Sequence, residues 1–429
     1  MTPSRTLIED DWEVIRRLLP DDLEQSAREH GAMRRRRGQV SSAEQLLRLI
    51  LMHVAGGLSL EQTVTRAQAR GLATLNAMAL HKRLCTSYEW LEALTGHLLQ
   101  EIKPHLRQNE DCWGIGRRVR ILDATDIHEP GSTGSSWRLH YSLRLPEMCC
   151  DFFELTDYHG AESLRRLPVE PGDLVLVDRG YNDRKAVGQI MDCGGELIMR
   201  YNSGAFPLLN PAGEPFDPLT KLRPLKIGQA GEWKVKFVVE NGRQMSARLC
   251  ALRKSPEQAR RARLRAEQKS KRNSSQVRPE TLEYADHVVL LSTLSSQEMK
   301  LAVVLEFYRA RWQVELAFKR LKSLLQMGQV PKKKEASCRA WMQGKILTAL
   351  LIERLLCEAR FFPHGVTLFE EQSQWNVFKE FSDAVVVQLA MPLNLTDLAK
   401  HRDLLCENFM ENRPKRPRQL KRMRAALNS

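Results

Sequence analysis

The chain has 429 residues, 42% of them hydrophobic and 28% charged, with 66 Lys+Arg against 52 Asp+Glu for a formal charge of +14. That length is too great for one small core and implies two to four domains, and the composition is that of an ordinary globular protein. The excess of positive charge points to a polyanionic partner, nucleic acid before a ribosomal or lipid surface.

Nine cysteines at irregular spacing, with no C-x-x-C pair, argue against a zinc module and fit a reduced, intracellular protein. The N-terminus lacks the apolar stretch of a signal peptide, and "LLRLILMHVAGGL" is too short and interrupted to span a bilayer. A cytoplasmic, nucleoid-associated protein with no membrane partner is expected.

Residues 1–112 read as helical. "SSAEQLLRLILMHVAGG" offers a Ser41 cap with Glu44 three residues on and a Gly-Gly stop. "LSLEQTVTRAQARGLATLNAMALHKRL" gives a helix, a break at Gly71 and a second helix. This is a helix-turn-helix in outline or part of an ordinary bundle. The run Arg34–Arg37 suits DNA backbone contact or a solvated loop.

From about residue 117 the period changes. "RRVRILDATD" is a strand expected to end at Asp123, "PGSTGS" a turn, and "SWRLHYSLRL" alternates as a half-buried strand should. "EMCCDFFELTD" completes an antiparallel meander. A short helix in "HGAESLRRLPVEPGD" precedes "DLVLVDRGY", whose continuous run Leu174–Val177 suits a strand buried on both faces. "DRKAVGQIMDCGG" is a helix and "ELIMRY" a fifth strand. Three meandering strands followed by strand–helix–strand give an α/β fold with a ribonuclease-H-like mixed sheet.

Residues 203–300 read as a β-rich insertion with a hairpin turning at Asn241-Gly242 and a basic arm, "KSPEQARRARLRAEQKSKR". The catalytic domain would therefore comprise 113–202 and 301–350. A helical region, 351–429, ends in the basic tail "RPKRPRQLKRMR".

"YRARWQVELAFKRLK", residues 308–322, has helical periodicity. At about 100° per residue, Tyr308, Arg311, Glu315 and Lys322 fall within a stripe about 60° wide, bordering an apolar face of Phe307, Val314, Phe318, Leu321 and Leu325. Taken alone, Arg311 and Glu315 would be an i,i+4 ion pair on a solvated face. But Asp123 and Asp178 each close an apolar strand, and parallel neighbours would bring them to one sheet edge, where such sheets place their sites. Two adjacent acids need a neutralising cation. Oxygen-only ligands favour Mg²⁺ or Mn²⁺, with Glu315 as third carboxylate. Two such ions suit phosphodiester chemistry without a protein nucleophile. Asp126, His128 and Glu129 read as supporting or turn residues.

The spacing Y-x2-R-x3-E-x6-K, together with "ILDATDIHEPG" around Asp123 and "LVLVDRGYND" around Asp178 and Arg179, resembles the DDE transposases of bacterial insertion sequences, in the insertion sequence four family. The resemblance covers about residues 115–350. It implies that Asp123, Asp178 and Glu315 bind the metals, while Tyr308, Arg311, Lys322 and Arg179 contact DNA. Trp312 either stacks on an unpaired base near the cut or belongs to the core. The resemblance further implies end nicking, hairpin formation and opening, and joining to target DNA, by a homodimer holding two terminal inverted repeats. Where some relatives carry a further acidic pattern, "DRGYND" has Gly and Tyr between Arg179 and Asp183, so the role of Asp183 stays open. A ribonuclease-H-like nuclease without strand transfer and an inactive DNA-binding derivative are the competing readings.

Overall fold

The computed structural model describes residues 12–401 and 404, apart from 34–39, 108–114, 359–373, 394 and the isolated positions 133, 135, 146, 240–241, 273 and 332–333. The Arg34–Arg37 run, Asn241 and the basic tail at 413–424 lie outside the described residues.

Six helices open the chain: α1 (Trp12–Arg16), α2 (Leu23–Glu29), α3 (Ala43–Val54), α4 (Leu60–Ala69), α5 (Ala77–Cys85) and α6 (Tyr88–Arg107). The cap of α3 is Ser42, whose side chain accepts from Gln45 N–H, one residue later than the expected Ser41/Glu44 pair. Ser41 instead bonds the Gln45 side chain. The reciprocal capping box belongs to α4, between Ser59 and Gln62.

The sheet follows. Strands β1 (Arg118–Ile127), β2 (Trp137–Leu145) and β3 (Cys149–Asp157) form the antiparallel meander. A 3₁₀ turn at Leu164–Arg166 leads to β4 (Asp173–Val177), then α7 (Arg184–Asp192) and β5 (Glu196–Arg200). β4 is parallel to both β1 and β5. Next come β6 (Leu208–Leu209), β7 (Pro215–Phe216), α8 (Pro218–Leu222), β8 (Ala230–Val238), β9 (Gln244–Arg253), α9 (Pro256–Arg272), α10 (Pro279–Ala285) and β10 (His287–Ser292). The strand order is β3-β2-β1-β4-β5-β10-β9-β8-β6-β7. Its first five strands have the ribonuclease-H-like arrangement. The segment read as an insertion extends the same sheet, because β10 pairs with β5 on one side and β9 on the other. Gly242, at φ 72°, takes the left-handed backbone that the β8–β9 turn requires.

Helices α11 (Leu301–Ala310), α12 (Trp312–Ser323), α13 (Glu335–Glu358), α14 (Gln374–Ala390) and α15 (Leu395–Lys400) complete the chain. α13 runs unbroken across residue 350, and it packs on α3, α5 and α6, so N- and C-terminal helices share one core on one face of the sheet.

Alternation sorts the strands between two cores. Leu174 and Leu176 join the larger helical core, whereas Val175 and Val177 join the smaller one with α7 and α8. Because both faces are covered, β2 is not half-buried as its alternation suggests. His140, Ser142 and Arg144 are buried too, with His140 bonded to Thr156 at 3.2 Å and Arg144 set against Glu147 at 3.7 Å. At the base of the parallel pair, Arg120 meets Asp173 at 2.9 Å and Asp151 at 2.7 Å. This buried network ties β1, β3 and β4 at the end opposite the site.

Candidate active site

The parallel pairing of β1 and β4 brings Arg118 to Ile121 alongside Asp173 to Leu176. Two residues further on, Asp123 and Asp178 lie level with one another. Strand parity gives both the face of Ile121 and Leu176, the face that α11 and α12 cover. Asp178 follows the last residue of β4. Asp123 does not end its strand, as the sequence suggested: β1 continues to Ile127, paired with Trp137 of β2. The parallel ladder stops near Asp123 while the antiparallel one goes on.

The stretch 308–322 is two helices rather than one. α11 ends at Ala310 and α12 begins at Trp312. Arg311 keeps helical dihedrals (φ −50°, ψ −32°), but the ladder tightens around it: Arg311 N–H bonds Tyr308 C=O at 3.2 Å and Val314 N–H bonds Arg311 C=O at 3.2 Å. These i→i+3 bonds are a 3₁₀-like step, so a uniform 100° rotation does not hold across it.

That joint aims Tyr308 and Arg311 at the two aspartates. Tyr308 O–H donates to Asp178 Oδ1 at 3.2 Å. The Arg311 guanidinium donates to Asp123 Oδ2 at 3.1 Å and to Glu315 Oε1 at 2.5 Å. Asp123, Asp178 and Glu315 are thus gathered, with Tyr308 and Arg311 between them. Lys322 is not bonded to these acids: burial lowers its pKa, and Asp126 is the carboxylate that opposes this.

Burial pushes the Asp123 carboxyl up to about 6. Its bond from Ala124 N–H and the Arg311 charge oppose the rise, while Glu162 and Asp178 add to it. The Tyr308 hydroxyl is pushed up by burial first and then by Asp178. Sequence reasoning missed two groups here. Glu162, on the β3–β4 connection, has its proton affinity raised by burial, against Arg138, and further by Asp126 and Asp178. Tyr181, in the 3₁₀ turn after Asp178, is 2% exposed. Its hydroxyl has no hydrogen-bond partner among the described residues. The "DRGY" stretch held the only sequence hint of Tyr181, and nothing in the spacing of Glu162 marked it.

The other acids have local partners. Asp126 pairs with Arg138 at 3.0 Å. Glu129 accepts from Trp137 Nε1 at 2.8 Å. His128 Nδ1 lies 3.1 Å from Gly134 C=O. Asp183 caps α7 by accepting from Lys185 N–H at 2.9 Å, and it pairs with Arg165.

Beside the carboxylates lies a cleft of about 440 Å³ walled by β5, β9, α9, α11 and α12. Arg200, Lys254, Gln258, Arg261, Arg265, Tyr308, Arg311 and Trp312 line it. Trp312 is 54% exposed, so it is not a core aromatic. Burial depresses the Arg200 guanidinium and brings the Lys254 ammonium down to about 8, with Arg200 and Arg179 adding repulsion. Arg179 is exposed and contributes to this concentration of positive charge. α9 has no buried residue and is anchored through Arg263, which pairs with Asp286 at 2.5 Å.

Among the described residues, no three His, Cys, Asp or Glu side chains converge closely enough to hold a cation as they stand. In kind the donors fit a hard divalent ion: every one is a carboxylate oxygen, and the Tyr181 hydroxyl lies unbonded among them. In the arrangement described, the Arg311 charge offsets Asp123 and Glu315, and Tyr308 donates a hydrogen bond to Asp178.

Residues 156–351 match the family model described as a transposase DDE domain. The match includes Asp178, Tyr308, Arg311, Glu315 and Lys322, and Asp123 lies before it. The chain is 35% identical over 364 residues to the transposase for insertion sequence element IS421 of Escherichia coli, across 82% of this chain and 96% of that protein. It is equally similar, over 363 residues, to the InsL protein of insertion sequence element IS186A from Escherichia coli strain K12, with the same shares covered. The transposase for element IS231F of Bacillus thuringiensis subsp. israelensis is 22% identical over 386 residues, across 81% and 80%. A structure titled as a piggyBac transposase synaptic complex with hairpin DNA overlays with a TM-score of 0.43 at 10% identity, covering 95% of this chain and 87% of that one. By its similarity to the insertion-sequence proteins over nearly their whole length, this chain belongs to the DDE transposases of the insertion sequence four family.

Proposed function

We propose that this transposase performs metal-dependent cut-and-paste transposition, with Asp123, Asp178 and Glu315 as its catalytic carboxylates. The observation that carries the reading is the Arg311 bridge from Asp123 to Glu315, beside the Tyr308–Asp178 bond. One residue within β1, one just past the end of β4 and one on α12, distant in sequence, are linked through Tyr308 and Arg311.

Mg²⁺ or Mn²⁺, as a pair of ions, would supply activation of the attacking oxygen and stabilisation of the leaving one. The chain's own residues position the DNA. Tyr308 and Arg311 touch the carboxylates and also wall the cleft, so a phosphate lying there meets both. Arg200, Arg261, Arg265 and Arg179 supply the surrounding positive charge, and exposed Trp312 offers a flat face to an unstacked base. Lys322, toward Asp126, would meet a phosphate farther along the strand. The DNA partners are the terminal inverted repeats and the target. The course is nicking, hairpin formation and opening, then strand transfer, by a homodimer holding both ends.

The test is Asp123→Asn, Asp178→Asn and Glu315→Gln, each assayed on end-containing DNA with Mg²⁺. Each should retain DNA binding and lose nicking. A nicking rate within about tenfold of wild type, about 1.4 kcal/mol of barrier, removes that residue from the set. Pre-cut ends that bind and nick but never form hairpins or joined products would favour a nuclease without strand transfer.

A further inference from the structure

Among the acids around the site, most have a neutraliser or hydrogen-bond donor within the protein. Asp123 has Arg311, Asp178 has Tyr308, Glu315 has Arg311 and Asp126 has Arg138. Glu162 makes no hydrogen bond or ion pair with any described residue, and it is only partly exposed. It occupies the space left by the missing side chain of Gly180: Oε2 lies 2.3 Å from where a Cβ there would stand. A side chain at 180 would therefore displace the carboxylate, and glycine two residues after Asp178 is what lets Glu162 reach this position.

A second group points the same way. The Tyr181 hydroxyl is buried and unbonded, and Asp123 and Glu162 are the two acids that act on it most strongly after burial itself. A buried O–H donor without an acceptor is costly, on the order of 1–3 kcal/mol, unless a water or ligand oxygen answers it. An unbonded carboxylate and an unbonded hydroxyl, both beside Asp123, describe a site that expects something between them.

We propose that Glu162 is a fourth carboxylate of the divalent-cation site, acting from the side of Asp123 and Asp178, with the Tyr181 hydroxyl orienting an oxygen held there. The inference rests on the reading of Asp123 and Asp178 as metal-holding acids. Arg311 and Tyr308 are bonded to the three principal carboxylates, whereas Glu162 feels the Arg138 charge without bonding to it and gives the site an acid able to meet a cation or its waters. Outer carboxylates of this kind tune the affinity of the ions they face.

The experiment is Mn²⁺ binding to the full-length protein, followed by calorimetry and by loss of the free-ion electron spin resonance signal. It compares wild type, Glu162→Gln, Gly180→Ala, Tyr181→Phe and Asp178→Asn, with nicking measured in parallel. Glu162→Gln should weaken Mn²⁺ binding by about tenfold while leaving the affinity for end DNA unchanged. Gly180→Ala should do the same by pushing the carboxylate aside, and Tyr181→Phe should have a smaller effect. Gly180→Ala provides an independent route should Glu162→Gln fail to fold. Wild-type Mn²⁺ affinity in whichever of the two folds overturns the inference, provided Asp178→Asn has lost binding. If Asp178→Asn also binds Mn²⁺ and nicks as wild type does, the reading of the principal carboxylates has failed instead.

Discussion

Arg311, at the joint between α11 and α12, donates to Asp123 on β1 at 3.1 Å, and the two side chains are only 14% and 18% exposed. With Glu315 on its other nitrogen, the guanidinium stands between two acids that the proposed chemistry needs. A cation held by the protein thus offsets the charge concentration that folding creates. Without it, Asp123 would face Asp178 and Glu162 with less compensation.

Arg311→Met should therefore destabilise the protein by about 1–3 kcal/mol, the cost of leaving a partly buried charge without its partner. The loss should shrink when MgCl₂ is added, because a divalent ion can replace the missing charge. Thermal melts of both proteins across a Mg²⁺ titration decide this. An equal response to Mg²⁺ in the two proteins would show that Arg311 does not hold a cation's place.

The cleft beside the site gives a second expectation. Arg261 and Arg265 line it from α9, a helix with no buried residue. Each contact with a DNA phosphate releases counterions and steepens the salt dependence of binding by about 0.9 per charge. Arg261→Ala/Arg265→Ala should flatten the plot of log K against log salt by nearly two units. Arg243, paired with Asp192 at 2.6 Å outside the cleft, is the control, and its replacement should leave the slope alone. A double variant with the wild-type slope would place the DNA elsewhere.

Packing of α7 onto the extended sheet supplies a third. A Cβ on Gly188 would lie 2.8 Å from Val239 Cγ1. Gly188→Ala gains about 1 kcal/mol of helix propensity but forces an overpacked contact costing about 1–3 kcal/mol, so the net change should be destabilising. In a Val239→Ala background the 2.8 Å contact is removed and only the Cβ at 3.3 Å remains, a crowding that a small shift relieves at less than the propensity gain. The same Gly188→Ala change should then stabilise. Melting temperatures of the four proteins test this reversal of sign, and a destabilisation of equal size in both backgrounds would refute it.

Much of this architecture was legible because strand chemistry is local. The run Leu174–Val177 could only be a strand covered on both sides, and parity alone carried Asp123 and Asp178 to the same face. The signature from Tyr308 to Lys322 was legible as spacing, but its geometry was not. The 3₁₀-like step at Arg311 has no marker, since Ala310, Arg311 and Trp312 are all acceptable in a continuous helix. The step therefore changes how Tyr308 on α11 stands relative to α12, while Glu315 and Lys322, both on α12, keep the spacing that uniform rotation gives them. The joining of β6–β9 to the main sheet depends on β10 pairing on both edges, a long-range choice that no window of sequence contains. Glu162 was invisible for a related reason. Its position depends on close approach to Gly180, 18 residues away in sequence, and a glycine's missing Cβ does not show which side chain will use the space.

The last expectation concerns a buried charge far from any proposed chemistry. Lys345, on α13, is 1% exposed, and its ammonium has the Trp341 ring 5.1 Å away as a weak partner. Burial lowers its pKa from 10.5 to about 8. The unfolded chain thus binds the proton more tightly than the folded one. Burial of this lysine costs stability at every pH below 8, and the cost fades as pH rises from 8 to 10.5, where both states become neutral. The full cost is on the order of 3 kcal/mol, from about 1.4 kcal/mol per pKa unit. Lys345→Met conserves most of the volume and has no proton to lose. The variant should be more stable than wild type by roughly that amount at pH 7, and by under about 1 kcal/mol at pH 10. Urea unfolding midpoints of both proteins at the two pH values measure the difference. An advantage that is the same at pH 7 and pH 10 would mean that packing, rather than charge, separates the two side chains. A variant less stable than wild type at pH 7 would mean that the buried ammonium is stabilised by more than the Trp341 ring.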